Sequence, residues 1–188
     1  PYLIRQAEFI ALHTPAFIGR YDILQGITEG GTFLLNSDWS NEEAFSHLTR
    51  DMQETIVQKK IRFYNIDALS IAREVGLGNR INTVMQAAFF KVSGVLEEEE
   101  AIRLIKDTIK KSYQKKGEHI VKMNWDAVDR TSAALERIPV PDSLDAIKES
   151  HEPARLIAED APDFARTVLR PRVQLKGDEI PVSQMPRD

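Results

Sequence analysis

Cysteine is absent from this 188-residue sequence. That lack excludes a disulfide, a thiolate zinc site, a Cys-ligated iron–sulfur cluster and a Cys nucleophile within the chain, so any redox centre must lie elsewhere. A reducing compartment fits the absence without being required by it. Long apolar runs are missing too: no window approaches the roughly 18 consecutive apolar residues of a membrane span. The N-terminus also lacks the basic-then-apolar layout of a signal peptide. Nor is there an excess of positive charge. With 25 Lys+Arg against 29 Asp+Glu and a formal net charge of −4, the chain is a poor nucleic-acid module, which would carry a basic stripe. What is present is ample core material, 42% hydrophobic residues, and the expectation is a soluble, globular chain that neither spans membranes nor binds nucleic acid.

Glycine and proline are unevenly spread. Seven of the nine prolines but only one of the nine glycines follow Ile138, so the composition changes at Pro139-Val-Pro141. This sets an expected boundary, with residues 1–138 as a folded unit and 139–188 as a Pro-rich connector. The connector carries one short helix around 163–169 and lies on a neighbour instead of building its own core.

Within the first unit, residues 8–13, 32–37 and 61–66 read as buried strands, each apolar-rich and bounded by turn or helix-start residues. Between them, 21–28 reads as a helix stopped by Gly30-Gly31. Ser40-Asn-Glu-Glu43 has capping-box spacing for a helix whose face is Phe45, Leu48, Met52 and Ile56. Strand alternating with helix predicts an α/β fold: three layers, with a mostly parallel sheet covered by helices on both faces. Further helices are predicted over 69–75, over 82–92 with Met85, Ala88, Phe89 and Val92 on one face, from the acid run 97–100 onward with Ile102, Ile105 and Ile109, and over 118–135. Lys110, Lys111, Lys115 and Lys116 fall near the end of the third of these, where cations complement the helix dipole and where phosphates could also be met. Three strands are few for a sheet, and the chain opens on Pro1-Tyr2 without an initiator Met and closes in an extended 180–188. The expectation is a sheet incomplete at its N-terminal side and a chain that is an internal piece of something larger.

Complete catalytic constellations are lacking as well. Gly76-Leu-Gly78-Asn-Arg-Ile81 has two glycines of a dinucleotide fingerprint but follows a helix and has Ile at the third position. A P-loop and a G-x-S-x-G elbow are absent, and His13, His47, His119 and His151 are too scattered for metal-ligand spacing. No catalytic residue and no metal ligand is therefore assigned. Three polar positions stand out. Asn82, at a helix entrance, is either an N-cap or a ligand contact. Asn124, among the apolar positions of its helix, is either a satisfied core amide or a ligand contact at the edge of the sheet. Asn36-Ser37 ends the second strand, where open α/β sheets bind ligands.

Several motifs in one order carry a resemblance. Gly19-Arg-Tyr-Asp-Ile-Leu-Gln-Gly26, Glu29-Gly-Gly-Thr-Phe-Leu-Leu-Asn-Ser37, Lys60-Ile-Arg-Phe-Tyr-Asn-Ile-Asp67, Glu74-Val-Gly-Leu-Gly-Asn-Arg-Ile-Asn82 and Met85-Gln-Ala-Ala-Phe-Phe-Lys91 together resemble the gamma-type domain of pyruvate:ferredoxin (flavodoxin) oxidoreductases. Val121-Lys-Met-Asn-Trp-Asp-Ala-Val-Asp129 and Gly177-Asp-Glu-Ile-Pro-Val-Ser183 extend the resemblance over nearly the whole chain, most weakly over 139–161. It implies a cytoplasmic, homodimeric parent enzyme that converts pyruvate and coenzyme A to acetyl-CoA and CO2. That parent would use thiamine pyrophosphate, Mg2+ and 4Fe–4S clusters held by other domains and pass electrons to ferredoxin or flavodoxin. For this chain it implies coenzyme A contacts at Asn82 and Asn124, no catalytic residue, and inactivity of the piece alone. The alternatives are a non-catalytic α/β scaffold and the same domain of another 2-oxo acid oxidoreductase.

Overall fold

The computed structural model describes residues 4–152, 157–174 and 176–184. Pro1-Tyr2, Pro153 and the last four positions of the 180–188 segment thus lie outside the described residues. A four-stranded sheet runs in the order β1 (Ala7–Leu12), β2 (Ile27–Asn36), β3 (Arg62–Ile66) and β4 (Glu136–Arg137). The first three strands are parallel and β4 pairs antiparallel with β3, so the sheet is mostly parallel, as the alternation predicts.

Both faces of β2 are apolar, because Phe33 and Leu35 point one way and Leu34 the other, and all three are fully buried. Phe33 stacks on Phe63 of β3 at 5.2 Å, and this face is covered by α1 (Arg50–Gln58) through Met52 and Ile56. Leu34 and Ile66 face α2 (Ala68–Glu74), α3 (Asn82–Ser93) and α5 (Glu118–Ala134). α4 (Glu98–Tyr113) does not reach the sheet cores; its Ile105 and Ile109 pack on Ala87 of α3 and on Val121 and Val128 of α5. α3 therefore buries two sides, Met85, Ala88 and Val92 toward the sheet and Ala87 toward α4. Phe89, expected on one face with Met85, Ala88 and Val92, lies edge-on to Phe9 of β1 at 4.9 Å.

Two expected helices are different. Residues 21–28 form turns that lead into β2 and not a helix. Gly26 sits at φ +76, where an added Cβ would come within 2.6 Å of the Arg5 carbonyl oxygen, so β1 and β2 approach at that point as only glycine permits. Ile27 then pairs with Ala7, and Gly30-Gly31, read from the sequence as a helix stop, lies within β2 where the register shifts between Ala7 and Phe9. The β-branched Ile27, Thr28 and Thr32 favour the strand. The Ser40–Glu43 signal also fails to open a helix. Ser40 Oγ donates to the Glu43 carboxylate at 3.0 Å, residues 41–47 wind as turns, and the helix starts at Arg50 with Thr49 as its N-cap, accepting from the Met52 N–H. Phe45 and Leu48 are nonetheless buried with Met52 and Ile56, because the turns present them to the same core.

The connector begins by lying on the α1 face. Ile138 N–H donates to the Phe63 carbonyl at 2.8 Å, Ile147 is buried, and His151 N–H donates to the Leu48 carbonyl at 2.8 Å. Gln53 fixes this arrangement from inside: its fully buried side-chain amide donates to the carbonyls of Phe45 and Glu149, both at 2.7 Å. Farther on, a π-helical turn over Ala165–Leu169 runs into α6 (Arg170–Val173), so the short helix expected around 163–169 is present and longer.

Replacing Gln53 by Leu would strip both carbonyls of their donor. The expected loss is about 1–3 kcal/mol in urea unfolding, with faster amide exchange at His151 than elsewhere on the α1 face. Unchanged exchange at His151 would mean that the connector is held by its other contacts, the backbone bonds and the Arg50 bonds to the Leu144 and Ile147 carbonyls among them.

Candidate functional site

The parallel strands give the sheet two unlike edges. At the carboxyl edge, Asn36 Nδ2 donates to the His13 carbonyl at 2.9 Å and its Oδ1 accepts from the Ala68 N–H at 3.0 Å. Ser37 Oγ donates to Asn65 Oδ1 at 2.8 Å, and Asn65 Nδ2 donates to the Trp39 carbonyl at 2.9 Å. A cleft of about 300 Å3 lies here, lined by Trp39, Asn41, Asn65, Asp67, Ser70 and Ala134 among others. Asn36 and Asn65 each donate one bond and accept one within the chain, and so tie the ends of the parallel strands to the start of α2 and to the loop that follows β2. Asn36-Ser37 thus sits where sequence reasoning put it, but as a brace.

The two singled-out asparagines lie at the other end. α2 leaves the carboxyl edge and runs back. Along α5, Ala134 lies at the same cleft as Ser70, Arg130 pairs with Glu74, and Met123 packs on Gly76, so α2 and α5 are antiparallel. Asn124 is therefore about 15 Å along α5 from Ala134, at 1.5 Å rise per residue, and away from the carboxyl edge.

The loop between α2 and α3 shapes this end. Gly76, at φ +85, leaves room for the Met123 sulfur, which a Cβ would approach to 2.8 Å. Leu77 is buried and its N–H donates to the Ala72 carbonyl at 2.8 Å, which pins the loop. Arg80 Nε donates to the Leu77 carbonyl at 3.1 Å, and the helix begins at Asn82 with Ile81 as the residue before it. Asn82 is accordingly not the N-cap. It is the first helical residue, exposed, with a side chain that makes no hydrogen bond among the described residues. No side chain caps α3 and no acidic residue lies in its first turn, so its leading N–H groups are open to a ligand.

Asn124 differs. It is buried, its Nδ2 donates to the Ile120 carbonyl at 2.8 Å, and its Oδ1 accepts from the Thr83 hydroxyl at 2.8 Å. An amide carries two donors, so one N–H of Asn124 has no partner among the described residues. Thr83, next to Asn82, is the residue that sequence reasoning missed; the one available signal was that a buried Asn124 required a partner on a neighbouring helix. The fold thus joins Asn82 and Asn124 at one end of the helical layer, through Thr83. Among the described residues, no three His, Asp or Glu side chains converge as metal ligands, and no helix is long and apolar enough to cross a membrane.

A family model described as pyruvate ferredoxin/flavodoxin oxidoreductase matches residues 1–134. The chain belongs to that family. A second family model, a domain of unknown function, matches residues 150–188. The chain is 54% identical to the pyruvate:ferredoxin oxidoreductase of Moorella thermoacetica over 188 residues, which is 100% of this chain and 16% of that protein. It is 41% identical to the putative pyruvate-flavodoxin oxidoreductase of a Synechocystis strain over 187 residues, 100% of this chain and 15% of that protein. The chain therefore spans about one sixth of the length of the curated relatives it matches, the rest of which consists of other regions. The crystal structure of the pyruvate oxidoreductase subunit PORC from Thermotoga maritima aligns with a TM-score of 0.55 at 16% identity, covering 71% of this chain and 66% of that one. At that identity the likeness is one of fold, and it places this member of the oxidoreductase family in the α/β class seen in its sheet.

Thr83→Val keeps the shape and removes the hydroxyl that Asn124 Oδ1 depends on. The expected cost is about 1–2 kcal/mol in chemical denaturation, for a buried acceptor left unpaired. A loss below about 0.3 kcal/mol would show that Asn124 finds another donor.

Proposed function

We propose that the chain is the segment of a pyruvate:ferredoxin or flavodoxin oxidoreductase that positions coenzyme A, with Asn82 and Asn124 as its contacts. The observation that carries this reading is the exposed, unpartnered carboxamide of Asn82 on the uncapped first turn of α3, joined through Thr83 to a buried Asn124 that keeps one free N–H. These groups suit the ligand. The pantetheine arm of coenzyme A contains amides, and a side-chain carboxamide can both donate to and accept from an amide while staying neutral at any working pH. Coenzyme A supplies the thiol that takes the acetyl group. Asn82 would hold and orient the arm, and Asn124 would keep the start of α3 in place while offering its remaining N–H. This is an effect of position, which lowers the entropic cost of bringing two reactants together, and not one of proton transfer.

In this proposal the remaining chemistry belongs to other parts of a cytoplasmic, homodimeric parent. Thiamine pyrophosphate with Mg2+ would support the decarboxylation of pyruvate, and iron–sulfur clusters would pass two electrons, one at a time, to ferredoxin or flavodoxin. A chain without cysteine holds no such cluster by thiolate ligation. The connector's role would be to lead from this domain to the next.

A scaffold reading draws on one observation, the two bonds that Asn124 already makes within the chain. Asn82 separates the two readings, because it makes none. In the full-length enzyme, Asn82→Ala is expected to raise KM for coenzyme A about 5- to 10-fold, the worth of one or two hydrogen bonds. Pyruvate decarboxylation and stability should change little. Asn124→Ala is expected to raise the same KM and also to lower stability by about 1–3 kcal/mol, since Thr83 and the Ile120 carbonyl lose their partner. Unchanged coenzyme A kinetics in both variants would refute the assignment and favour the scaffold.

A further inference from the structure

Coenzyme A is a polyanion, and the two asparagines bring no charge to it. Its counter-charge then comes from other groups, and one end of the helical layer carries a set of exposed cations. Thr83 meets Asn124, and Lys91 Nζ meets the Ser132 carbonyl, so α3 and α5 run parallel. Trp125 Nε1 donates to the Lys106 carbonyl at 3.0 Å, and α4 turns back into α5 through Gln114–Lys116, so α4 is antiparallel to both. The start of α3, the start of α5 and the end of α4 therefore lie together at one end of the layer.

That end is rich in unneutralised cations. Elsewhere along the layer basic side chains are paired: Lys91 with Glu98, Arg103 with Asp107, Lys106 with Asp129 and Arg130 with Glu74. Lys110, Lys111, Lys115 and Lys116 are exposed and have no ion-pair partner among the described residues; Lys116 lies over the Tyr113 ring at 5.4 Å. Glu118 is the one carboxylate between positions 108 and 119, and positions 75–93, which include Arg80 and all of α3, contain none. Compensation of the α4 dipole accounts for Lys110 and Lys111, which lie in its last turn, but not for Lys115 and Lys116 in the turn beyond it.

We propose that Lys110, Lys111, Lys115 and Lys116, with Arg80, hold the phosphate groups of coenzyme A, while the carboxamides at the start of α3 hold its uncharged arm. The inference rests on the coenzyme A reading above and goes beyond it by assigning the ligand's charge to a separate set of residues. Lysine suits the task as a mobile point charge that meets phosphates without a fixed geometry. Because these side chains are exposed, their attraction to the ligand must weaken as salt screens it.

The test uses the full-length enzyme carrying either Lys110→Gln with Lys111→Gln or Lys115→Gln with Lys116→Gln, and Lys148→Gln on the connector as a control. KM is measured for coenzyme A and for its 3′-dephospho form over a range of salt concentrations. Each pair is expected to raise KM for coenzyme A about 3- to 10-fold at low salt and to flatten its rise with salt. At least one pair should reduce the preference for the 3′-phosphorylated form, and the control should do neither. Unchanged KM and salt dependence in both pairs would overturn the inference, and if Asn82→Ala still raised KM the coenzyme A reading would survive it. If Asn82→Ala were also without effect, both would fall. A raised KM for the electron-accepting protein at an unchanged KM for coenzyme A would overturn the inference in favour of a docking surface for an acidic partner.

Discussion

β2 has no polar face, and the layout of the molecule follows from that. Phe33 and Leu35 on one side and Leu34 on the other are each wholly removed from water, a burial worth about 1.5–3 kcal/mol per side chain. Neither side can be left open. One is closed by α1 and the beginning of the connector, and the other by α2, α3 and α5. Since α2 must return from the end of β3 along the sheet, the loop that follows it, and with it Asn82, is carried to the edge opposite the strands' carboxyl ends. The position of the candidate site is therefore a consequence of which residues the strands bury.

This placement departs from a common arrangement. Open α/β sheets usually bind ligands beyond the carboxyl ends of their strands, and Asn36, Ser37 and Asn65 do gather there. Asn36 and Asn65 each already donate one bond and accept one within the chain, holding His13, Trp39, Ala68 and Ser37. At the other edge, the Asn82 side chain makes no hydrogen bond among the described residues. A polar residue is informative about ligands when its groups are left over after the fold has been satisfied, and the contrast between these two sets makes the distinction within one domain.

What could be read from the sequence depended on the length of the periodic signal. The helices over 82–92 and 118–135 carry several apolar residues at helical spacing, and α3 and α5 appear within two residues of the expected bounds. Three strands were also legible as short apolar runs; β2 and β3 are largely buried, whereas the edge strand β1 buries only Leu12 and leaves Glu8 and Ala11 exposed. The failures came where a local signal competed with a tertiary one. Residues 21–28 have a helical pattern and a glycine stop, but the close approach of Arg5 to Gly26 and the pairing of Ala7 with Ile27 draw that segment into turns and strand. The Ser40–Glu43 spacing was sound as a local contact and forms one; Thr49 provides the cap because the helix needs to start where Met52 and Ile56 meet Phe63. β4 was not legible at all, as two residues carry no period. For the site, sequence singled out Asn82 and Asn124 but not Thr83, since a hydroxyl at position 83 is unremarkable until the fold sets it against position 124.

The unequal burial of the two asparagines bears on how such a site can work. Asn124 meets the requirement that a buried amide be hydrogen-bonded, and in doing so it fixes α3 relative to α5 at the point where Asn82 emerges. A side chain that must orient a flexible ligand gains little if its own backbone moves; the bond from Thr83 to Asn124 removes that freedom for the residue beside it. Neutral groups suit this role because burying a charge beside α3 would require a paired counter-charge, whereas an amide is satisfied by one hydroxyl and one carbonyl. Charge can then be left to the exposed end of α4, where water keeps lysine cheap to hold and any anion is free to come and go. In the proposed site, rigid neutral contacts in the packed layer and mobile charged ones at its rim would divide orientation from attraction, so that each could be tuned without disturbing the other.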